Sequence, residues 1–126
     1  MNKKQPRHFA SISNEYGIIS ISEGLVASIV GLAASECYGV VGMVSRKPGG
    51  ELGELLKRDF SGRGVAVGWK EEKLYIQVFI VVSYGTRISE VANNVIRQVH
   101  YAVEKTTGLP VAKVKVFVQG VKAANH

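Results

Sequence analysis

Ile88, Val91, Ala92, Val95, Ile96, Val99, Ala102 and Val103 recur at intervals of three and four. Only a helix gathers such intervals on one side. Within ten residues the period changes to two: Val114, Val116 and Val118 alternate with Lys113, Lys115, Phe117 and Gln119. A long helix with one apolar stripe and a strand with one apolar face must bury those surfaces against a common core, which demands a layered α+β arrangement. Gly108 and Pro110 supply the stop between them. Six large aliphatics in the helix, each worth about 1.5–3 kcal/mol when buried, bring on the order of 10 kcal/mol to that contact before entropy is counted.

The remaining segments fit the same plan. Residues 16–21 alternate as a short strand, and Ser22 caps a helix over 23–38 that Gly39 ends in a left-handed turn. This helix is almost without charge. Its large residues Leu25, Val26, Ile29, Val30 and Leu32 lie on one broad side, and Gly24, Ala27, Ser28, Gly31 and Ala34 form a second, small-residue stripe. That stripe fits close packing on the second long helix of the same molecule, with contact to another subunit as the alternative. Residues 40–45 read as a strand. Residues 46–64 read as a flap, with a short amphipathic turn of helix carrying Leu52, Leu55, Leu56 and Phe60 between prolines and glycines. Residues 65–70 and 74–83 form a hairpin around Glu71 and Glu72. Its register pairs Trp69 with Leu74, Val67 with Ile76 and Val65 with Val78, giving one wholly apolar face. The expected architecture is a two-layer sandwich, β-α-β, flap, β-β-α-β, with both helices on one face of a four- or five-stranded mixed sheet. Residues 1–14 are expected as a flexible basic tail, 15–122 as a single domain and 123–126 as a disordered C-terminus.

Composition narrows the function classes. A single cysteine, Cys37, rules out an internal disulfide framework and a cysteine-cluster zinc site, which favours a cytoplasmic setting. The polar start has no signal-peptide core, and the most apolar stretch, residues 24–34, is about half of the ~20 residues that span a bilayer. Cys37 and His100 are the one pair able to form a nucleophile and base. Cys37 sits at a helix C-terminus beside Glu36, where dipole and carboxylate both raise a thiol pKa, and His100 falls on the polar stripe. The expectation is therefore a protein that is not an enzyme. His8, His100 and His126 lack metal-ligand spacing, and the glycines at 49–53 lack the lysine of a phosphate loop. Gly50-Glu51-Leu52-Gly53 fits the loop of a KH nucleic-acid module, but Glu51 is ill placed beside a phosphate backbone. No cofactor or metal is expected.

The other sheet face carries the candidate site. Tyr75, Phe79, Val81, Lys113, Lys115 and Phe117 point outward from it, and the apolar patch that Phe79 and Val81 make suits a protein or self-association interface. Single-stranded nucleic acid, stacked on the aromatics, is the alternative. The net charge of +6, from 16 Lys plus Arg against 10 Asp plus Glu, is compatible with either partner.

From Tyr16 to Lys122 the chain resembles the alkaline shock protein family of Gram-positive bacteria, the YloU-like envelope stress response proteins. The segments that carry the resemblance are Gly17-Ile18-Ile19-Ser20-Ile21, Gly39-Val40-Val41-Gly42-Met43, and Tyr84-Gly85 with Ile88 and Glu90-Val91-Ala92. They continue with Ala102-Val103-Glu104-Lys105-Thr106-Thr107-Gly108-Leu109 and Val116-Phe117-Val118-Gln119-Gly120-Val121. The resemblance implies a small, abundant, non-catalytic cytoplasmic protein of cell-envelope homeostasis that in some members reaches the inner face of the membrane through a separate membrane-anchoring protein; the outward sheet face adds the expectation of a homo-oligomer. Lys113, Lys115 and the basic tail depart from the family pattern.

Overall fold

The computed structural model describes residues 9–44 and 64–123. In chain order the elements are β1 (Ala10–Asn14), β2 (Gly17–Ile21), α1 (Glu23–Ser35), β3 (Val40–Met43), β4 (Val65–Lys70), β5 (Lys73–Ser83), α2 (Ile88–Thr107) and β6 (Val111–Lys122). The expected flap turn around Leu52 to Phe60, the KH-like loop, His8 and His126 lie outside the described residues.

β5 organises the main sheet, which is mixed as expected. β4 and β3 pair antiparallel to it and β6 pairs parallel. β4 takes Lys73 to Val78 and β3 takes Ile80 to Val82, so the two short strands follow one another along β5. They meet at Phe79, whose N–H donates to the Gly64 carbonyl (2.8 Å) and whose carbonyl accepts from the Val44 N–H (3.1 Å). The hairpin register is the one its apolar parity dictates: Trp69 opposes Leu74, Val67 opposes Ile76 and Val65 opposes Val78. Glu71 and Glu72 close it with φ of 53° and 62°, as a two-residue turn matched to strand twist requires.

Both helices lie on one face, packed on each other, with α1 against β3, β4 and β5 and α2 against β6. Ser22 caps α1 by accepting the Leu25 N–H (3.1 Å), and Gly108 ends α2 in the left-handed conformation (φ 79°). The core comprises Leu74, Ile76, Val78, Ile80 and Val82 from β5, Val26, Val30 and Ala34 from α1, and Val91, Val95, Val99 and Val103 from α2. Ile88, expected on that stripe, is instead exposed; it is the first residue of α2, at the rim of the stripe.

Three expectations are corrected. The boundary at residue 14 falls inside a hairpin, because Ala10–Asn14 pairs antiparallel with β2. Asn14 Oδ1 shapes its turn by accepting the N–H groups of Tyr16 (2.7 Å) and Gly17 (3.2 Å). The strand expected at 16–21 thus belongs to a separate two-stranded sheet, which buries Ala10 and Ile21 in the core. Finally, the small-residue stripe of α1 is turned away from α2. Ala27, Ser28 and Gly31 border an open groove against β3, and the nearest neighbour to a Cβ at Gly31 is Val65 of β4. The side towards α2 is instead made by residues such as Ile29 and Ala33.

Candidate interaction surface

The outer face of the sheet is built by strand parity. Between the inward residues of β5 the register places an outward set: Tyr75 beside Gly68 and Lys113, Gln77 beside Ala66 and Lys115, Phe79 beside Phe117. Lys70 opposes Lys73 at the hairpin end. None of these positions carries a carboxylate. The ion pairs among the described residues, Arg87 with Glu90 and His100 with Glu104, lie on α2 and its approach and leave these lysines unpaired. Ala66 and Gly68 project little or nothing from the floor, so a trough of about 370 Å³ runs between them and Tyr75, Gln77, Lys113 and Lys115.

The face is not uniform. At its hairpin end Tyr75, Lys113 and Lys115 are exposed. Further along, the Phe79 and Phe117 rings stack with centroids 4.8 Å apart and planes 9° apart. Phe79 is only 2% exposed and Val81 is half-buried. Lys115 Nζ lies 5.8 Å from the Phe117 ring centroid, within range of a cation–π contact. All six expected surface residues lie on the expected face, but Phe79 is a buried residue there and its ring is engaged. Parity reads the direction of a side chain; it does not read what covers it.

A second surface was not singled out as a groove by sequence. Between α1 and β3 lies a cavity of about 600 Å³ lined by Ala27, Ser28, Gly31, Leu32, Ser35, Val40, Val41, Gly42, Met43 and Val65. Among the described residues no charged group lines it. Leu32 is 61% exposed at its rim, and Leu25 and Val41 are exposed on the elements that form it. The sequence signal was the run from Gly24 to Ser35 without a charged side chain.

The groups weighed for catalysis have separate, local partners. Cys37 is buried, its Sγ donating to the Ala33 carbonyl (3.4 Å). Burial first, and then the Glu36 carboxylate, push its thiol pKa up, so at neutral pH it is the unreactive protonated form. His100 Nε2 lies 3.6 Å from Glu104 Oε2. That carboxylate oxygen also accepts the Val111 N–H (2.9 Å), tying the end of α2 to the start of β6. No group of three or more metal-ligating side chains occurs among the described residues, and no described helix is long and apolar enough to cross a membrane.

Comparison with known proteins places the chain. It is 45% identical over 117 residues to the uncharacterized protein YloU of Bacillus subtilis, covering 90% of this chain and 96% of the relative. It is 35% identical over 116 residues to the uncharacterized protein Spy1614 of Streptococcus pyogenes, covering 91% and 96% respectively. Among solved structures, a form of the MamM C-terminal domain aligns over 80% of this chain and 85% of that one at 15% identity and a TM-score of 0.46, a likeness too loose to bear on function. Residues 11–123 match the family of alkaline shock protein 23, described by a cell envelope-related function, and the chain belongs to that family.

Proposed function

We propose that the protein is a non-catalytic adaptor of cell-envelope homeostasis, working on the cytoplasmic side by self-association and protein contact and reaching the membrane through a membrane-anchoring partner. What carries this reading is the open groove between α1 and β3, whose lining among the described residues carries no charge, with Leu25, Leu32 and Val41 exposed beside it. An apolar surface of that kind marks an interface more often than a bare monomer surface. The outer sheet face serves docking rather than self-pairing, because two copies laid face to face would oppose Lys70, Lys73, Lys113 and Lys115 to one another, and like charges in contact are repelled.

Static light scattering tests the self-association. The unmodified protein is expected to show a mass above that of one chain, rising with concentration, and Leu32→Glu, which sets a charge at the groove rim, to return it to the monomer. A monomeric mass for the unmodified protein at every concentration rejects this part of the reading. The nucleic-acid alternative draws on the same unpaired lysines and predicts affinity that falls steeply with salt. A filter-binding assay with no retention at low salt removes it.

A further inference from the structure

We propose that the trough on the outer sheet face is a docking site for an extended acidic segment of a partner protein, with carboxylates on alternate residues, bound across Lys113 and Lys115. The inference rests on the adaptor reading and specifies the chemistry of its partner.

Charge is the first observation. Among the described residues Lys113 and Lys115 are exposed and have no ion pair, no carboxylate occupies a strand position of their face, and Lys70 stands directly opposite Lys73. Like charges directly across a strand pair cost stability in the free protein, and an anionic ligand relieves that repulsion as it binds. Shape is the second. The trough of about 370 Å³ has a floor made shallow by Ala66 and Gly68, and nothing lies within 4 Å of where a Gly68 Cβ would project. An extended backbone can therefore lie close to the sheet, within reach of the Gln77 amide and the Tyr75 hydroxyl. Spacing is the third. Alternate residues on one strand are about 6.6–7 Å apart, so Lys113 and Lys115 match carboxylates two residues apart on an extended peptide.

Other anionic partners fit less well. Sheet surfaces that bind single-stranded nucleic acid stack two or three bases on open aromatic rings. Here Phe79 is buried and Phe117 stacks on it with the Lys115 ammonium also over its ring, leaving Tyr75 as the one open ring among the described residues of this face. A flat anionic membrane meeting this face would also meet Glu71 and Glu72, exposed at the hairpin tip beside Lys70 and Lys73. A narrow segment lying in the trough avoids them.

The test is a fluorescence-anisotropy titration of the full chain with a labelled peptide alternating glutamate and threonine. A peptide of the same composition with its glutamates in one block, vesicles of phosphatidylglycerol in phosphatidylcholine, and oligothymidylate are titrated alongside. The alternating peptide is expected to bind best, and Lys113→Glu with Lys115→Glu to weaken it at least about ten-fold. Lys113→Gln with Lys115→Gln should weaken it less, and Lys105→Glu on α2 should leave it unchanged. Circular dichroism of each variant is expected to match the unmodified protein. The proposal is overturned by no binding of the alternating peptide, by equal binding of the block peptide, or by binding that survives both lysine substitutions. It is overturned equally if vesicles or oligothymidylate bind through these lysines and the peptide does not. Light scattering separates the two readings: a peptide that fails to bind a protein that still self-associates removes this docking site and leaves the adaptor standing.

Discussion

Neighbouring residues of β5 live in different worlds. Leu74, Ile76, Val78, Ile80 and Val82 are all 0–1% exposed beneath the helices, whereas the residues between them run from the open Tyr75 through the half-buried Gln77 to the closed Phe79. The inner set is uniform because two helices cover the whole strand. The outer set is graded, polar and open at the hairpin end and apolar and closed where β3 and β4 meet. Stability and recognition are thus divided by residue parity, and Phe79 is the place where parity and burial disagree.

The largest expected effect tests that disagreement. Phe79→Ala should cost about 3–5 kcal/mol, in the class of Ile76→Ala at about 2–5 kcal/mol, because each empties space inside packed structure. Tyr75→Ala, on the same side as Phe79, should stay within about 0.5 kcal/mol. Urea denaturation of the three variants reads all of them. If Phe79→Ala behaves like Tyr75→Ala, the outer face is open along its whole length and the gradient is wrong. The outward pattern alone gives the opposite expectation, that polar substitutions at Phe79 and Phe117 leave the fold intact and weaken only assembly.

What was legible follows the same division. The hairpin register and the outward lysines could be read because alternation of apolar residues fixes both pairing and direction. Four features could not. β1 holds only Ala10 and Ile12 as apolar inward residues, too few to register as a strand without its partner. The small stripe of α1 defines a side of the helix without saying which neighbour lies along it. Phe79 carries no mark of being covered. Glu104 reaches Val111 across the Gly108-Leu109-Pro110 turn, a contact that joins two elements with different periods and leaves no trace in either.

Glycines in the two environments sharpen the comparison with a smaller effect. Gly64 has φ of +98°, and a Cβ there would lie 2.8 Å from the Val44 carbonyl oxygen and 3.1 Å from that of Phe79, at the seam where β3 gives way to β4. Gly64→Ala should therefore destabilise by about 2–3 kcal/mol, combining left-handed strain with contact against rigid backbone. Gly68 sits on the open outer face with free space where its Cβ would go, and Gly68→Ala should stabilise by about 0.4–1 kcal/mol by restricting the unfolded chain. Both are read from the denaturation midpoint. Equal destabilisation by the two would mean that the floor of the trough is as tightly packed as the seam.

The smallest effect isolates charge on the outer face. Lys70 and Lys73 face each other at the last paired position of the hairpin, with no carboxylate salt-bridged to either among the described residues. Lys70→Thr removes the repulsion and should raise Tm by about 1–3 °C at low ionic strength. Threonine also has the better strand propensity, so the substitution alone does not assign the cause. Salt does: at about 1 M the Debye length is about 3 Å and the repulsion is already screened in the unmodified protein, so a charge effect disappears there and a propensity effect remains. A gain that vanishes with salt means the free protein carries an electrostatic cost on this face that an acidic partner can relieve, while a gain of the same size at every ionic strength removes that driving force from the docking proposal.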